Sequence, residues 1–184
     1  MAMKRAVFLD RDGVINVNRP DYVKSWQEYQ FLPGVFDPLR RLAQSQWAIV
    51  IISNQSCIGR GLVDGGVVEA VHQAMEAEIR RQGGRVDAVF FCPHRPDEDC
   101  DCRKPKPGML LRAARQLDLS LANSYLVGDA VSDVEAALAV GCSPIMVLTG
   151  RGAEQAGLLR QRGYHRVPVV RNLAEAVALI PIGS

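Results

Sequence analysis

The sequence has 184 residues, of which 48% are hydrophobic and 23% are charged, and its 22 basic and 20 acidic side chains give a net charge of +2. A chain of this length buries roughly 70% of its unfolded surface, so it needs no disulfides to fold, and its hydrophobicity excludes a disordered chain. The balanced charge argues against nucleic acid or a membrane surface as a partner, because both usually require a strong basic excess. We expect a monomer with a single domain over residues 1–184.

The apolar segments are too short for a membrane helix or a signal peptide. The best of them, around residues 47–52, has the length of a strand and falls far below the ~20 residues that a membrane helix needs. Lys4 and Arg5 precede four apolar residues, but Asp10 ends that run well before the roughly 7–15 residues of a signal-peptide core. We therefore expect a cytoplasmic chain, in whose reducing surroundings the five cysteines are poor material for disulfides.

Apolar, β-branched runs alternate with helical patterns along the whole chain. This alternation predicts an α/β fold with a doubly wound, mostly parallel sheet, because parallel strands need crossover helices between them. In such a sheet, ligands bind at the carboxyl ends of the strands. In chain order the predicted elements are strand 6–9, helix 35–44, strand 48–52, helix 66–81, strand 88–91, helix 107–117, strand 125–127, helix 132–140, strand 145–148, helix 153–161, strand 167–170 and helix 173–179.

Two carboxylates two positions apart follow the first predicted strand, in the segment FLDRDGV at 8–14. If the backbone stays extended, Asp10 and Asp12 project toward the same side of the chain. One of them could bind a cation or attack an electrophile while the other moves a proton. The alternative is a pair of ordinary solvated loop carboxylates.

A second acidic segment, VGDAVSD at 127–133, lies between the fourth predicted strand and the next helix. Asp129 occupies a strand edge as Asp10 does, whereas Asp133 lies in a first helical turn, where simple capping is a sufficient explanation. Carboxylates that converge at one edge repel each other unless a cation neutralises them, and Mg²⁺ prefers such oxygen ligands. The two acidic segments together therefore suggest a magnesium site.

Two further loops carry groups that could hold an anion. Ser53, Asn54 and Gln55 follow the second predicted strand and offer a hydroxyl and two amides. Arg103 and Lys104 begin the basic segment RKPKP at 103–107, which precedes a helix N-terminus, itself a natural anion site. Each of these segments alone is also compatible with a solvated loop.

Three cysteines and one histidine lie within eleven residues, as Cys92, His94, Cys100 and Cys102. Three thiolates and one imidazole make a closed tetrahedral set, which is typical of structural zinc. The spacing is tighter than in a nucleic-acid-binding finger, and the polar residues between the ligands disfavour the alternative of unrelated core cysteines. We predict a zinc loop over residues 92–102 that orders the adjoining basic segment without taking part in the chemistry.

The segments at 8–14, 53–55, 103–107 and 127–133, taken together and in this order, resemble the four motifs of the haloacid dehalogenase superfamily phosphatases. The resemblance implies a Rossmann-like fold with its first and fourth strands side by side, and the short interval between Asp12 and Ser53 leaves no room for a large cap domain. It also implies that Asp10 is the nucleophile and Asp12 the general acid/base. Ser53 and Lys104 would hold the phosphoryl group, and Mg²⁺ would be bound by Asp10, the backbone carbonyl of Asp12, and Asp129.

The zinc loop narrows the resemblance to the branch of the histidinol-phosphate phosphatases and the heptose bisphosphate phosphatases. The segment NQSCIGRG at 54–61, with its Arg60, looks more like the heptose enzymes. The implied substrate is a small sugar bisphosphate, D-glycero-D-manno-heptose 1,7-bisphosphate, which loses its 7-phosphate on the way to lipopolysaccharide heptose. Histidinol phosphate is the alternative substrate, and a non-catalytic module that binds a phospholigand or a partner through zinc is the alternative class. The residues expected to contact substrate are Asn54, Gln55, Arg60, Arg103, Asp21 and Tyr22.

Several residues depart from the pattern of this branch. Ser53 stands where threonine is common, Cys57 where glycine is common, and Ala130 replaces a basic residue. Away from these motifs, we expect His72 and His165 to be incidental.

Overall fold

The computed structural model describes residues 3–183, so residues 1, 2 and 184 of the expected single domain lie outside the described part. Within it, parallel strands form a single six-stranded sheet. The strands are β1 (Ala6–Asp10), β2 (Ala48–Asn54), β3 (Ala88–Cys92), β4 (Tyr125–Gly128), β5 (Ser143–Val147) and β6 (Val169–Val170). Their order across the sheet is β3-β2-β1-β4-β5-β6, so that the chain winds outward from β1 in both directions.

Helices cover both faces of this sheet. Side chains of β1 alternate between the two, since Val7 and Leu9 pack in one buried apolar cluster while Ala6 and Phe8 pack in another. Strands that are buried on both faces read as continuous apolar runs, which is why the strands were predictable from the sequence. The helices are α1 (Phe36–Ala43), α2 (Gly65–Arg81), α3 (Gly108–Leu117), α4 (Val131–Leu138), α5 (Gly152–Gln161) and α6 (Leu173–Leu179), with short 3₁₀ turns at Trp26–Glu28 and Leu121–Asn123.

Two predicted site residues belong to the strands themselves and not to the loops that follow them. Asp10 and Ser53 were expected in loops beyond their strands, and this was wrong. The parallel ladder continues through both residues, with Asp10 opposite Ile52 and Ser53 opposite Phe91. A polar side chain leaves its own backbone free to pair, so polarity alone does not end a strand. The consequence is that the sheet holds the backbone of both residues and so fixes the points from which their side chains project.

The predicted helices all form, with ends displaced by at most two residues and the helix at 173–179 exact at both ends. The last strand is shorter than expected, and the two 3₁₀ turns were not predicted. Between β1 and β2 the chain forms only a loop, one of these turns and α1, which leaves the carboxyl edge of the sheet uncapped, as expected. None of the helices in residues 3–183 combines the length and the apolar character needed to cross a bilayer.

Candidate active site

Three carboxylates converge where β1 and β4 end. Because β1 and β4 pair in parallel, Asp10 at the end of β1 and Asp129 just after β4 reach the same edge of the sheet. One oxygen from each of Asp10, Asp129 and Asp133 lies within 4.8 Å of the others. All three residues are buried, Asp129 and Asp133 to 1% exposure. The predicted pair of acidic segments therefore does form one cluster, and Asp133 belongs to it as well as capping α4.

Lys104 supplies the positive charge of this cluster. Its Nζ lies 2.9 Å from Oδ1 of Asp10 and 2.6 Å from Oδ1 of Asp133, and it donates to the carbonyl of Ile52 at 3.3 Å. Burial alone would lower the pKa of this lysine, but the two carboxylates outweigh burial and raise the pKa above its ordinary value. The side chain therefore stays a cation although it is only 4% exposed.

Negative charge is nevertheless in surplus. Burial raises the pKa of Asp10 to about 8, with repulsion from Asp133 and Asp129 adding to burial and Lys104 opposing it. Burial and the charge of Asp133 likewise raise the pKa of Asp129 to about 6. Oδ2 of Asp129 accepts from the backbone N–H of Arg151 at 2.8 Å, whereas its Oδ1 is buried without a hydrogen-bond partner among residues 3–183, with Nη2 of Arg151 3.9 Å away. An orphaned carboxylate oxygen beside two further carboxylates fits a hard divalent cation such as Mg²⁺.

Two glycines pack directly against Asp129. A Cβ atom added to Gly13 would lie 2.1 Å from Oδ2 of Asp129, and one added to Gly150 would lie 2.2 Å from the same oxygen. Both glycines also have a positive φ, +87° at Gly13 and +59° at Gly150. The loops after β1 and β5 can close around this carboxylate only because neither position has a side chain.

Asp12 lies beside the cluster in a different environment. Both of its oxygens accept hydrogen bonds from Nη2 of the buried Arg11, at 3.0 and 2.9 Å. Asn16 Nδ2 donates to Oδ1 at 2.9 Å, and Gln55 Nε2 donates to Oδ2 at 2.8 Å. Burial would raise the pKa of Asp12, but the charge of Arg11 and these hydrogen bonds lower the pKa below its usual value. Asp12 is therefore an ionised carboxylate, held on three sides and open toward the cavity.

Ser53 and Asn54 end β2, and Gln55 follows it; these three residues make two kinds of contact. Ser53 Oγ lies 3.4 Å from Oδ2 of Asp12 and accepts from Gln55 Nε2 at 2.7 Å. Asn54 makes a reciprocal pair with the backbone of Lys104: its Nδ2 donates to the carbonyl and its Oδ1 accepts from the N–H, both at 3.1 Å. Gln55 is 1% exposed and does not line the cavity, so it holds Asp12 and Ser53 instead of facing a ligand.

An open cavity of about 430 Å³ covers these groups. Asp10, Asp12, Ser53 and Lys104 line it together with four arginines, Arg11, Arg19, Arg103 and Arg151. Arginine suits phosphate because its planar fork donates two parallel hydrogen bonds. The cavity thus combines a carboxylate cluster with walls that attract an anion.

The remaining predicted contacts lie in an adjoining depression. Arg60 and Asp21 line this depression and not the main cavity, while Tyr22 and Pro20 line both. Asp21 is paired with Arg19 and Lys24, and the hydroxyl of Tyr22 lies 3.1 Å from Ser56 Oγ. The main cavity and the adjoining depression therefore meet at Tyr22. This residue has a left-handed φ of 66°.

The predicted zinc ligands form a compact tetrad. Sγ of Cys92 lies 3.0 Å from that of Cys102 and 3.6 Å from that of Cys100, and Nδ1 of His94 lies 3.3 Å from Sγ of Cys102. Their four ligand atoms all lie within 4.8 Å of one another, which is the spacing of a set that can hold one metal ion. Arg103, directly after the tetrad, donates from Nη1 to the carbonyl of His94 at 3.2 Å.

Sequence reasoning missed several of the residues that order the site. Asp133 was explained by helix capping, and that explanation is correct, since its Oδ2 accepts from the N–H of Ala130 at 3.0 Å. Its second contact, with Lys104, has no local signal. The expectation that His72 is incidental stays a prediction, but the residue is 4% exposed and its Nε2 lies 3.0 Å from Nη1 of Arg11. A histidine among the buried positions of an amphipathic helix was the available signal, because a buried polar group needs a partner.

Comparison with known proteins identifies the family. A family model described as "HAD-hyrolase-like" matches residues 101–176, which include Lys104 and Asp129. The chain is 43% identical over 151 residues to the D-glycero-beta-D-manno-heptose-1,7-bisphosphate 7-phosphatase of Pseudomonas aeruginosa, covering 82% of this chain and 85% of that one. The chain belongs to the haloacid dehalogenase-like hydrolases. Its relatives of this identity are phosphatases, so it is a phosphoric monoester hydrolase, and a non-catalytic binding module is not supported.

Solved structures agree with this assignment. The D,D-heptose 1,7-bisphosphate phosphatase of Bordetella bronchiseptica, solved with magnesium and phosphate, is 41% identical with a TM-score of 0.87, covering 95% of this chain and 96% of that one. The enzyme of the same name from Burkholderia thailandensis is 33% identical with a TM-score of 0.72, covering 95% and 97%. This phosphatase therefore shares their fold along nearly its whole length, and the predicted α/β architecture is confirmed.

Proposed function

We propose that this phosphatase removes the 7-phosphate of D-glycero-D-manno-heptose 1,7-bisphosphate, with Asp10 as nucleophile and Asp12 as general acid and base. The observation that carries the proposal is the placement of Asp10 at the floor of an arginine-walled cavity, 2.9 Å from the buried cation of Lys104. The names of the relatives support the substrate, since they act on this bisphosphate.

In the first step, an oxygen of Asp10 forms a bond to phosphorus while the bond from phosphorus to the C7 oxygen breaks. The electron pair of that bond leaves with the C7 oxygen, which takes a proton from Asp12. Asp12 is ionised in the ligand-free site, but an approaching phosphate dianion disfavours a second anion beside it and so raises the proton affinity of this carboxylate. Lys104 orients the attacking oxygen and offsets charge on the phosphoryl group.

In the second step, water attacks the phosphorus of the aspartyl phosphate and gives its proton to Asp12. The bond between phosphorus and Asp10 breaks, which restores the Asp10 carboxylate and releases inorganic phosphate. Splitting the reaction in this way replaces one very slow step with two easier ones. Arg11 bonds both oxygens of Asp12 and so keeps this carboxylate in place between the two proton transfers.

Two metal ions complete the proposal. Mg²⁺ would be held by Asp10, Asp129 and the backbone carbonyl of Asp12, and when bound it neutralises charge on the phosphoryl oxygens. Zinc would occupy the tetrad of cysteines and histidine and keep the basic segment in place. The cytoplasm is the compartment we propose, because its reducing conditions keep the three thiols available for metal. We also propose that the chain acts as a monomer.

Two arginines would bind the second phosphate of the substrate, the one that is not transferred. Arg103 lines the main cavity and Arg60 the adjoining depression, so both would attract a second phosphate and repel the amine of histidinol phosphate. A charged hydrogen bond of this kind contributes roughly 1.5–3 kcal/mol. Removing either side chain should therefore lower kcat/KM for the bisphosphate by about ten- to a hundredfold, with little effect on a small generic ester.

The test measures kcat/KM of the wild type, Arg60→Ala and Arg103→Ala with the heptose bisphosphate, histidinol phosphate and p-nitrophenyl phosphate. Arg80→Ala, an exposed arginine on α2 away from both hollows, is the matched control and should behave as wild type. The expected result is a strong preference for the bisphosphate that both site variants reduce. A higher kcat/KM for histidinol phosphate would overturn the substrate while leaving the phosphatase activity in place.

A further inference from the structure

Among the described residues, His72 makes one polar side-chain contact, and its partner Arg11 belongs to the candidate site. The residue lies on α2, and its Nε2 lies 3.0 Å from Nη1 of Arg11. A guanidinium can only donate hydrogen bonds, so this imidazole nitrogen must be the unprotonated acceptor of a neutral ring. The ring packs against Phe91, with the two ring centroids 5.3 Å apart and an angle of 56° between the ring planes. Its orientation is therefore fixed by packing as well as by the hydrogen bond.

Arg11 transmits that contact to Asp12. The side chain of Arg11 is 1% exposed, and its other terminal nitrogen, Nη2, bonds both oxygens of Asp12. The guanidinium is a rigid plane, so holding Nη1 fixes the direction in which Nη2 points. Asn16 contacts Oδ1 of Asp12 and Gln55 contacts Oδ2, whereas Arg11 contacts both oxygens and so acts with these two amides to set the tilt of the carboxylate.

We propose that His72 is a positioning residue for proton transfer, acting through Arg11 to hold the Asp12 carboxylate at the angle from which it serves the leaving oxygen. The inference rests on the proposed role of Asp12 as acid and base. Proton transfer depends steeply on donor geometry, since a general acid must lie within hydrogen-bond reach of the atom that it protonates. Without an acceptor at position 72, Nη1 would be left unpaired in a buried site, and the guanidinium would turn to seek another partner.

A purely structural role for His72 predicts a different outcome from a positioning role. A structural defect lowers the fraction of folded enzyme and reduces the hydrolysis of all esters alike. A tilted Asp12 instead penalises esters whose leaving oxygen needs a proton, such as the C7 alkoxide of the heptose bisphosphate. p-Nitrophenyl phosphate releases a stable phenolate and needs no proton, and kcat/KM reports only steps up to the first irreversible one, in which Asp12 acts as acid.

The experiment compares His72→Leu, His72→Asn and His72→Gln in the full, metal-loaded chain with both esters. Gln places a carbonyl oxygen near the position of Nε2, whereas Asn is one carbon too short and Leu has no acceptor. We expect Leu and Asn to lower kcat/KM for the heptose bisphosphate about tenfold, a modest part of the 10²–10⁴ that general acids contribute, and p-nitrophenyl phosphate to change less than about twofold. Gln should restore most of the loss. Ile79→Ala, buried on the same helix without a polar contact to Arg11, should affect both esters equally.

Equal losses with the two esters, or a Leu variant as active as the Gln variant, would overturn the inference; if Leu does not fold, the Asn and Gln pair decides. Asp12→Asn run in parallel separates this failure from that of the proposed function. If Asp12→Asn loses both esters equally, the assignment of Asp12 is wrong and the role of His72 falls with it. If Asp12→Asn discriminates and the His72 variants do not, only the role of His72 is wrong. If the wild type does not hydrolyse the heptose bisphosphate, histidinol phosphate replaces it in these comparisons as the ester with an alkoxide leaving group.

Discussion

Lys104 and Asp133 form a buried ion pair, with 2.6 Å between Nζ and Oδ1, and this pair ties the segment after the zinc loop to the first turn of α4. Removing one partner of a buried pair leaves an uncompensated charge, which typically costs about 3–5 kcal/mol. If Asp133 is removed, Lys104 still has Asp10 as a partner, so the cost should be smaller than this. The pair nevertheless fixes the cation that the chemistry needs, and its removal should be felt in both stability and rate.

The first prediction compares this pair with one at the surface. Asp133→Asn should lower the free energy of unfolding by about 2–4 kcal/mol, below the full cost of a broken buried pair because Asp10 still faces Lys104. Glu135→Gln, which breaks a surface contact with Arg162, should change it by less than about 1 kcal/mol. Urea unfolding of the two variants measures both values. Equal losses in the two variants would contradict the importance assigned to the buried pair.

The second prediction concerns the nucleophile. Asp10→Asn should retain the fold, because burial and repulsion already raise the pKa of Asp10 to about 8 and a neutral amide removes that repulsion. Turnover should be essentially lost, since an amide does not form the aspartyl phosphate. Steady-state hydrolysis and circular dichroism provide the measurements, with Asp37→Asn at an exposed position as control. Hydrolysis at more than about a tenth of the wild-type rate would sink the assignment.

The third prediction follows from the raised pKa values in the metal-free site. At pH 7 the Asp10 carboxyl, with its pKa of about 8, holds a proton that a divalent cation must displace. Mg²⁺ binding should therefore release roughly one proton at pH 7, and affinity should rise by about tenfold per pH unit until the pH exceeds the pKa of Asp10. Calorimetry in buffers of different ionisation enthalpy counts the protons. Asp10→Asn should abolish the release, and a pH-independent wild-type affinity would refute the linkage.

The fourth prediction uses two glycines with similar backbone. Gly13 and Gly34 both have positive φ, +87° and +72°, but a Cβ on Gly13 would collide with Asp129 whereas one on Gly34 would meet nothing within 4 Å. Both alanine variants should lose about 1 kcal/mol of stability through backbone strain, and Gly13→Ala should lose more because of the collision. Only Gly13→Ala should also weaken Mg²⁺ binding and turnover, because it displaces a ligand. Similar Mg²⁺ titrations for the two variants would show that the Asp129 contact does not matter.

The fifth prediction concerns the tetrad. Metal analysis should find about one zinc per chain that survives mild chelation, because closed four-ligand sites hold zinc tightly. Cys100→Ser should lower both the melting temperature and kcat, since metal binding free energy is partly folding free energy. Cys142→Ser, at a buried cysteine outside the tetrad, should keep its zinc. Fully active protein without zinc after dialysis would contradict the proposed role.

The sequence was most informative where chemistry follows local spacing. The predicted zinc ligands lie within eleven residues, so their spacing alone predicted the tetrad. Asp10 and Asp129 were predicted to meet because each follows an apolar strand and the fold implied by the resemblance places those strands side by side. Whether these carboxylates act as proposed stays a prediction.

Contacts between distant side chains could not be read from local patterns. The Lys104 ion pair with Asp133 joins two segments through the depth of the site, and Asp133 already had a sufficient local explanation as a cap. The contact of His72 with Arg11 likewise depends on how α2 packs over the end of β1. Strand ends were misplaced for a related reason, since pairing with a neighbour, and not polarity, decides where a parallel strand stops.

Asn54 contacts the chain on both sides of the zinc loop. It is the sheet partner of Cys92, where the loop begins, and its side chain makes the reciprocal pair with Lys104, where the loop ends. Because one residue contacts both segments, we expect changes in the stretch between His94 and Cys100 to leave Lys104 in place. We therefore expect this stretch to accept a grafted recognition element while Lys104 keeps its position beside Asp10.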